Sequence, residues 1–73
     1  MYCVEEMHVE SGQHHGPIVR KELFAAPLAA LHFIETELGI IISDRQRTVD
    51  EVNRDKSHGW LRGNRLVWMH LEE

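Results

Sequence analysis

Residues 27–38 read PLAALHFIETEL, and this stretch predicts the helix around which the rest of the chain is organised. Pro27 suits a first helical turn because its φ is fixed and it has no N–H to leave without a partner. Gly39 follows as a left-handed stop. Both ends of the helix are therefore marked in the sequence, and we place it at Pro27 to Leu38.

The apolar residues of this stretch recur at helical spacing. Those expected on the buried face are Leu31, Ile34 and Leu38, with Ala30 and Leu28 at its margins. The first three fall within about 60° of one another on a helical wheel, which is typical of a stripe that packs on a core. Phe33 lies about 100° from Ile34, so we expect it at the flank or on the outer face.

A tight hairpin is predicted near the end of the chain, where Gly63-Asn64 separates two apolar segments. A two-residue turn pairs Trp60 with Val67 and Gly59 with Trp68. The two tryptophans therefore point to opposite faces of the ribbon.

The two faces of this hairpin differ in what can cover them. An unbroken apolar set lies on the Trp60 side and consists of Val67, Met69 and Leu71. We assign that side to the helix. The other side carries Leu61, Leu66 and Trp68, which a single helix cannot also cover.

The first part of the chain predicts a second hairpin. Residues 2–10 alternate roughly between apolar and polar side chains, which is typical of a half-buried strand, and residues 18–24 predict the next strand. Residues 11–17 hold two glycines and a proline, so a long loop joins the strands.

The region between the helix and the C-terminal hairpin is ambiguous. Residues 40–42 are three isoleucines, which fit either the start of a strand or a return of the chain under the helix. Residues 48–51 match a capping box, yet residues 48–52 equally extend a strand. We interpret residues 43–56 as a strand or an irregular segment.

Together these segments predict one α+β domain over residues 1–73. It has two layers, an antiparallel sheet of about four strands in the order hairpin, helix, hairpin, packed on one helix. A chain of 73 residues buries only about 60% of its unfolded surface, so little core can be spared for a deep pocket. A small-molecule enzyme is therefore disfavoured.

The chain is acidic, with 12 acidic and 8 basic residues and a net charge of −4. Residues 1–42 carry the whole excess, six acidic residues against two basic ones. An acidic surface repels nucleic acid and suits a basic partner, including a protein surface that normally binds nucleic acid. Solubility alone explains the same charge, and this alternative stays open.

Cys3 is the only cysteine, so an internal disulfide is excluded and a reducing cytoplasm fits best. The first residues show neither a basic region nor a long apolar run, so no signal peptide or membrane segment is expected. We therefore expect a cytoplasmic protein.

Six histidines raise the question of a metal site, and His14-His15 lies in a loop that could present both rings. Adjacent residues seldom converge on one ion, and no C-x-x-C or H-x-x-x-H spacing supports them. We predict no metal and no cofactor, with a divalent-metal binder through these loop histidines as a third alternative. We also predict no catalytic residue, because Cys3 lacks an apparent base and oxyanion site.

The segment 44–65 mixes Trp60 with six basic and four acidic residues, as a nucleic-acid-binding surface does. The basic excess is only +2. A small nucleic-acid-binding or regulatory accessory protein that uses the Trp and Arg residues of the C-terminal hairpin is kept as the alternative function.

A surface for a protein partner is the function that this architecture favours, because aromatic anchors outside the core are typical of interfaces. The residues assigned to partner binding are Trp68, Leu66, Leu61 and Phe33, with the acidic Glu6 and Glu10. A sheet that curls, or a terminus that covers these residues, would account for them without a partner. A second copy of the chain would serve as the partner equally well.

In its size, acidic balance, lack of catalytic motifs and hairpin–helix–hairpin order, the whole chain resembles the small phage-encoded inhibitors of host defence, the anti-CRISPR type. This resemblance implies a stoichiometric binder that blocks the nucleic-acid or nuclease-recruiting surface of a defence complex without catalysis. The basic excess at residues 44–65 departs from a DNA mimic, which is acidic throughout. Steric blocking is therefore favoured over charge mimicry alone.

Overall fold

A computed structural model describes residues 1–10 and 16–72 of the chain. Within these ranges the chain forms four strands and two helices. In chain order they are β1 (Tyr2–His8), β2 (Ile18–Phe24), α1 (Pro27–Thr36), α2 (Arg45–Asp55), β3 (Ser57–Arg62) and β4 (Arg65–Leu71). Most of the predicted loop at 11–17, with His14 and His15, lies outside the described residues.

The strands form one antiparallel sheet in the order β2-β1-β4-β3, so the first and last strands of the chain are neighbours at its centre. In the β1–β4 register, Val4 lies opposite Met69 and Cys3 opposite His70. Both α1 and α2 pack on the face that carries Val4, Val67 and Met69. The predicted α+β class with an antiparallel sheet is confirmed for the part of the chain that the structure describes.

The C-terminal hairpin has the predicted register, with Trp60 opposite Val67 and Gly59 opposite Trp68. Gly63 adopts a φ of 63°, the left-handed conformation that a two-residue hairpin turn requires. Trp60 is 7% exposed and belongs to the core under the helices. Trp68 points to the opposite face of the sheet, as predicted.

The first helix begins at Pro27 as predicted but ends at Thr36, two residues before the predicted end. The chain then turns through Gly39, whose φ is 69°. The expected stripe is buried, and its members are Ala30, Leu31, Ile34 and Leu38. Leu28, expected at the margin of the stripe, is 56% exposed.

Residues 45–55 form a second helix, which corrects both the expectation of one helix and the interpretation of residues 43–56 as a strand or an irregular segment. The carboxylate of Asp44 caps the helix by accepting a hydrogen bond from the backbone N–H of Arg47 at 3.0 Å. The buried residues of α2 recur at helical spacing and are Thr48, Val49 and Val52. The capping box in the sequence indicates a helix but misplaces its start.

The segment between α1 and α2 forms no strand and does not extend the sheet. Ile40 and Ile42 are buried, whereas Ile41 is 87% exposed. After α2, Lys56 adopts a φ of 73° and leads directly into β3. No helix of the described ranges is long and apolar enough to cross a membrane.

The first hairpin has β2 at its predicted bounds, whereas β1 ends at His8 instead of Glu10. Its register shifts between Glu6 and Met7, which is where the strand pairing becomes irregular. β2 forms one edge of the sheet, and its residues are exposed except for the half-buried Phe24.

Candidate interaction surface and polar cluster

Every second residue of the sheet points away from α1 and α2, and we call this side the open face. Its residues include Lys21 and Leu23 on β2, Cys3, Glu5 and Met7 on β1, Leu66, Trp68 and His70 on β4, and Ser57, Gly59 and Leu61 on β3. Since α1 and α2 pack on the other side, the open face is the side of the described sheet that the two helices leave uncovered, although Cys3, Glu5 and Met7 are buried within it.

Trp68 lies at the centre of the open face. Its ring stacks on His70, with the centroids 4.2 Å apart and the planes 25° from parallel. Gly59 lies opposite Trp68, and a Cβ atom there would be 3.9 Å from Trp68 Cδ1. The glycine therefore leaves room beside the indole, which is half-buried.

Further apolar side chains lie on the open face. Leu61 and Leu66 are direct partners across β3 and β4, Leu61 is 50% exposed and Leu66 is half-buried. Leu23, near the other edge of the sheet, is 51% exposed. The structure thus places the predicted Leu61, Leu66 and Trp68 on one face, with the aromatic and aliphatic composition of a protein interface.

The other residues assigned to partner binding lie elsewhere. Phe33 is half-buried in the helix layer, with its ring centroid 5.2 Å from that of Phe24 and the Arg20 guanidinium carbon 4.7 Å from its centroid. Glu6 lies on the side of the sheet that faces the helices, and Glu10 is exposed beyond β1. The six residues therefore do not form one surface.

A cluster of three polar residues on the open face was missed by the sequence analysis. Cys3, Glu5 and His70 bring a thiol, a carboxylate and an imidazole within 4.8 Å of one another. Cys3 and His70 are direct partners across β1 and β4, and Glu5 follows Cys3 on the same face. Only the β1–β4 register brings these residues together, and no local sequence signal indicates that register.

The environment of Cys3 determines its chemistry. The side chain is fully buried, and burial together with the nearby charge of Glu5 raises the pKa of the thiol to about 11. The thiol is therefore protonated at neutral pH. Since the thiolate is the nucleophile, Cys3 is poorly suited to covalent catalysis.

Ile41 marks a second surface that the sequence analysis did not identify. Together with Arg62 it lines two shallow grooves, of about 270 and about 410 Å³. In the smaller groove, His58 Nδ1 lies 2.8 Å from Glu51 Oε2. This contact ties β3 to α2 beside the exposed isoleucine.

The basic residues of the segment 44–65 are largely neutralised by acidic neighbours. In this segment, which the structure describes throughout, four of the six bases form ion pairs, namely Arg45 with Glu35, Arg47 with Glu51, Arg54 with Asp55 and Arg65 with Glu6. Trp60, the aromatic residue of this segment, lies in the core. The segment therefore pairs most of its arginines with carboxylates and holds its aromatic ring away from solvent.

Comparison with protein-family models, with curated proteins and with solved structures finds no match for this chain.

Proposed function

We propose that this protein is a non-enzymatic interaction module that binds a protein partner through the open face of its sheet. The observation that carries the proposal is the division of the sheet, with α1 and α2 on one face and Leu61, Leu66 and Trp68 on the other. Burial of such side chains against a partner contributes favourable free energy, and tryptophan is enriched at the energetic centres of interfaces.

The specific form we propose is a phage-type inhibitor that blocks a nucleic-acid-handling defence complex of a host. A net charge of −4 and arginines that already pair with carboxylates support a basic protein partner over nucleic acid. The burial of Trp60 supports the same choice, because a ring in the core cannot stack on a base.

We also propose that the protein acts by binding its partner and not by catalysis. The fully buried Cys3, with the pKa of its thiol at about 11, supports this view because it removes the strongest nucleophile of the chain from use at neutral pH.

Two leucines of similar exposure test the docking face. Leu61 lies on the open face and Leu28 on α1. The same substitution at the two positions therefore alters two different surfaces by a similar amount. A photo-crosslinking amino acid at position 61 should capture a protein from host cells, and the same amino acid at position 28 should not. With the captured protein purified, Leu61→Glu should weaken binding about tenfold or more, which is about 1.4 kcal/mol. Leu28→Glu should leave the affinity unchanged, and equal losses at both positions would contradict the assignment of the open face.

A salt series separates the classes of partner. Binding through an apolar protein interface should change little between about 50 mM and about 200 mM salt, whereas binding to nucleic acid falls by orders of magnitude over that range. A steep salt dependence with nucleic acid as the captured species would overturn the proposal in favour of a nucleic-acid-binding accessory protein. Crosslinks between copies of the chain, with sedimentation as a dimer, would identify a second copy as the partner.

A further inference from the structure

Three potential metal ligands converge on the open face between β1 and β4. Cys3 and His70 face each other directly across the two strands, and Glu5 lies two residues further along β1 on the same face. Side chains on one face of paired strands are close neighbours. The sulfur of Cys3, a carboxylate oxygen of Glu5 and a ring nitrogen of His70 accordingly all lie within 4.8 Å of one another.

One of these groups, the imidazole of His70, has a buried ring nitrogen without the hydrogen bond that burial normally requires. The Nε2 atom of His70 is inaccessible to solvent and has no hydrogen-bond partner among residues 1–10 and 16–72. Its nearest charged neighbour is Glu5 Oε1 at 3.8 Å, which is too far for a hydrogen bond. Glu5 itself is only 8% exposed, and Lys21 Nζ approaches the same oxygen no closer than 3.9 Å.

A buried polar atom without a partner costs free energy. A cation between the three groups would satisfy the imidazole nitrogen and the carboxylate at once. We propose that Cys3, Glu5 and His70 form a binding site for a divalent transition-metal ion of borderline softness, with Zn²⁺ as the ion that fits best.

The donor set selects the class of ion. A thiolate, an imidazole and a carboxylate are the ligands that Zn²⁺ takes in proteins, whereas Mg²⁺ and Ca²⁺ prefer oxygen alone. Tetrahedral zinc places such donors about 3.3 to 3.6 Å apart, so small side-chain rotations close the cluster around an ion. Three protein ligands leave a fourth position for water or for a group from a partner.

Binding is a ligand exchange without redox chemistry. A bond forms between the Cys3 sulfur and the metal, the S–H bond breaks, and the proton passes to the solvent. Trp68 supports the site because its stacking on His70 holds the imidazole ring in place. The proposal does not depend on the interaction function, since it rests on the cluster alone.

The test uses the full chain after treatment with a chelator. Co²⁺ is titrated in as a spectroscopic probe, since a thiolate ligand gives a charge-transfer absorption band, and Zn²⁺ is then added to displace it. We expect one equivalent of Co²⁺ to bind with this band and Zn²⁺ to abolish it. Circular dichroism of each variant shows whether it is folded.

The ligand variants are Glu5→Gln and His70→Gln, which keep the size of the side chains, and Cys3→Ser. Each should weaken Co²⁺ and Zn²⁺ binding about tenfold or more. Loss of a group that only orients a metal ligand already lowers metal affinity by about this factor, and loss of the ligand itself should cost at least as much. Cys3→Ser should also abolish the charge-transfer band. Should the serine variant fail to fold, the other two variants decide the question.

Two controls locate the site. His58→Gln removes another imidazole that lies beside a carboxylate, and the double variant His14→Gln/His15→Gln removes the loop histidines. Both should retain the wild-type affinity. The proposal is overturned if micromolar Co²⁺ and Zn²⁺ do not bind, or if the loop variant abolishes binding while Glu5→Gln and His70→Gln retain it.

Discussion

Arg65 and Glu6 join the sheet to the end of the first helix. Arg65 Nε lies 2.9 Å from Glu6 Oε2, and the Nη2 group of the same guanidinium donates a hydrogen bond to the backbone carbonyl of Leu38. One side chain therefore connects β4, β1 and the segment that follows α1. Arg62, its direct partner across the hairpin, is exposed and, among residues 1–10 and 16–72, donates only to the neighbouring carbonyl of Leu61.

Replacement of Arg65 by methionine should therefore destabilise the protein by about 1–3 kcal/mol, the cost of losing a hydrogen bond donated by a charged group together with the ion pair to Glu6. The same substitution of Arg62 should change the free energy of unfolding by no more than about 0.5 kcal/mol. Urea titration of both variants measures the difference. Equal effects would mean that Arg65 does not connect the layers.

The buried stripe of α1 can be tested within the helix. Leu31→Ala should destabilise by about 2–5 kcal/mol because it opens a cavity in the core. Leu28→Ala is the matched control, since it deletes the same atoms from an exposed position, and should cost less than about 1 kcal/mol. Thermal unfolding of both variants measures these losses of stability. Equal losses would show that the buried face of the helix is assigned wrongly.

The two tryptophans should differ in what they stabilise. Trp60→Ala removes a core residue and should cost about 3–5 kcal/mol, close to the whole stability of a small domain. Trp68→Ala should lower stability less but weaken partner binding by about 2 kcal/mol or more. Measurements of thermal midpoint and partner affinity for both variants separate these roles. If Trp68→Ala were unfolded while Trp60→Ala stayed folded and bound the partner poorly, the assignment of the two faces would be the wrong way round.

Lys56 offers a stabilising substitution. Its φ of 73° lies in the left-handed region, which costs a non-glycine residue about 1–2 kcal/mol. Lys56→Gly should therefore raise the free energy of unfolding by about 0.5–1 kcal/mol after the entropy that glycine loses on folding is counted. Lys56→Ala keeps the strain and removes the charge, so it should show no such gain in a urea titration.

The thiol of Cys3 should make stability depend on alkaline pH. Its pKa is about 11 in the folded protein and 9.0 in the absence of the fold, so the unfolded chain releases the proton first. The contribution of Cys3 to stability is then complete below about pH 9 and is lost as the pH rises through 11. Over the whole of this transition, with a chelator present, the wild type should lose about 3 kcal/mol more than Cys3→Ala, given about 1.4 kcal/mol for each unit of pKa. If the stability of the wild type and of Cys3→Ala fell equally with rising pH, the pKa of Cys3 would not be raised in the folded protein.

The features predicted from the sequence depend on signals that lie close together in the chain. Gly63-Asn64 determines the register of the C-terminal hairpin, and this register places Trp60 and Trp68 on opposite faces. The start of α1 at Pro27 and its buried stripe follow from spacing within a few turns. The same local register predicts that Leu61, Leu66 and Trp68 share one face, and these three residues lie together on the open face.

The second helix was missed because its signals are weak. Six of the 11 residues of α2 are charged, and Val49 and Val52 are its only large apolar residues. Such a short apolar stripe fits a strand as readily as a helix. The helix becomes favourable because these valines pack in the core and Asp44 caps the start.

The polar cluster was beyond sequence reasoning for a different reason. Cys3 and His70 come from opposite ends of the chain, and only the pairing of β1 with β4 makes them neighbours. Strand order in a sheet of two hairpins has several solutions, and no turn residue selects among them. Phe33 was placed correctly at the flank of α1, but its contact with Phe24 depends on the same long-range arrangement.

The central position of β1 and β4 also governs how the protein reaches this structure. The pairing of Tyr2 with Leu71 closes a loop that contains nearly all residues of the chain. The chain loses the conformational entropy of this loop before the contact contributes any stabilising free energy. Proteins dominated by contacts between distant residues fold slowly, in milliseconds to seconds. Because β4 follows the other elements in the chain, β1 pairs with it, and Cys3 and Glu5 come to lie beside His70, only after β4 has been synthesised.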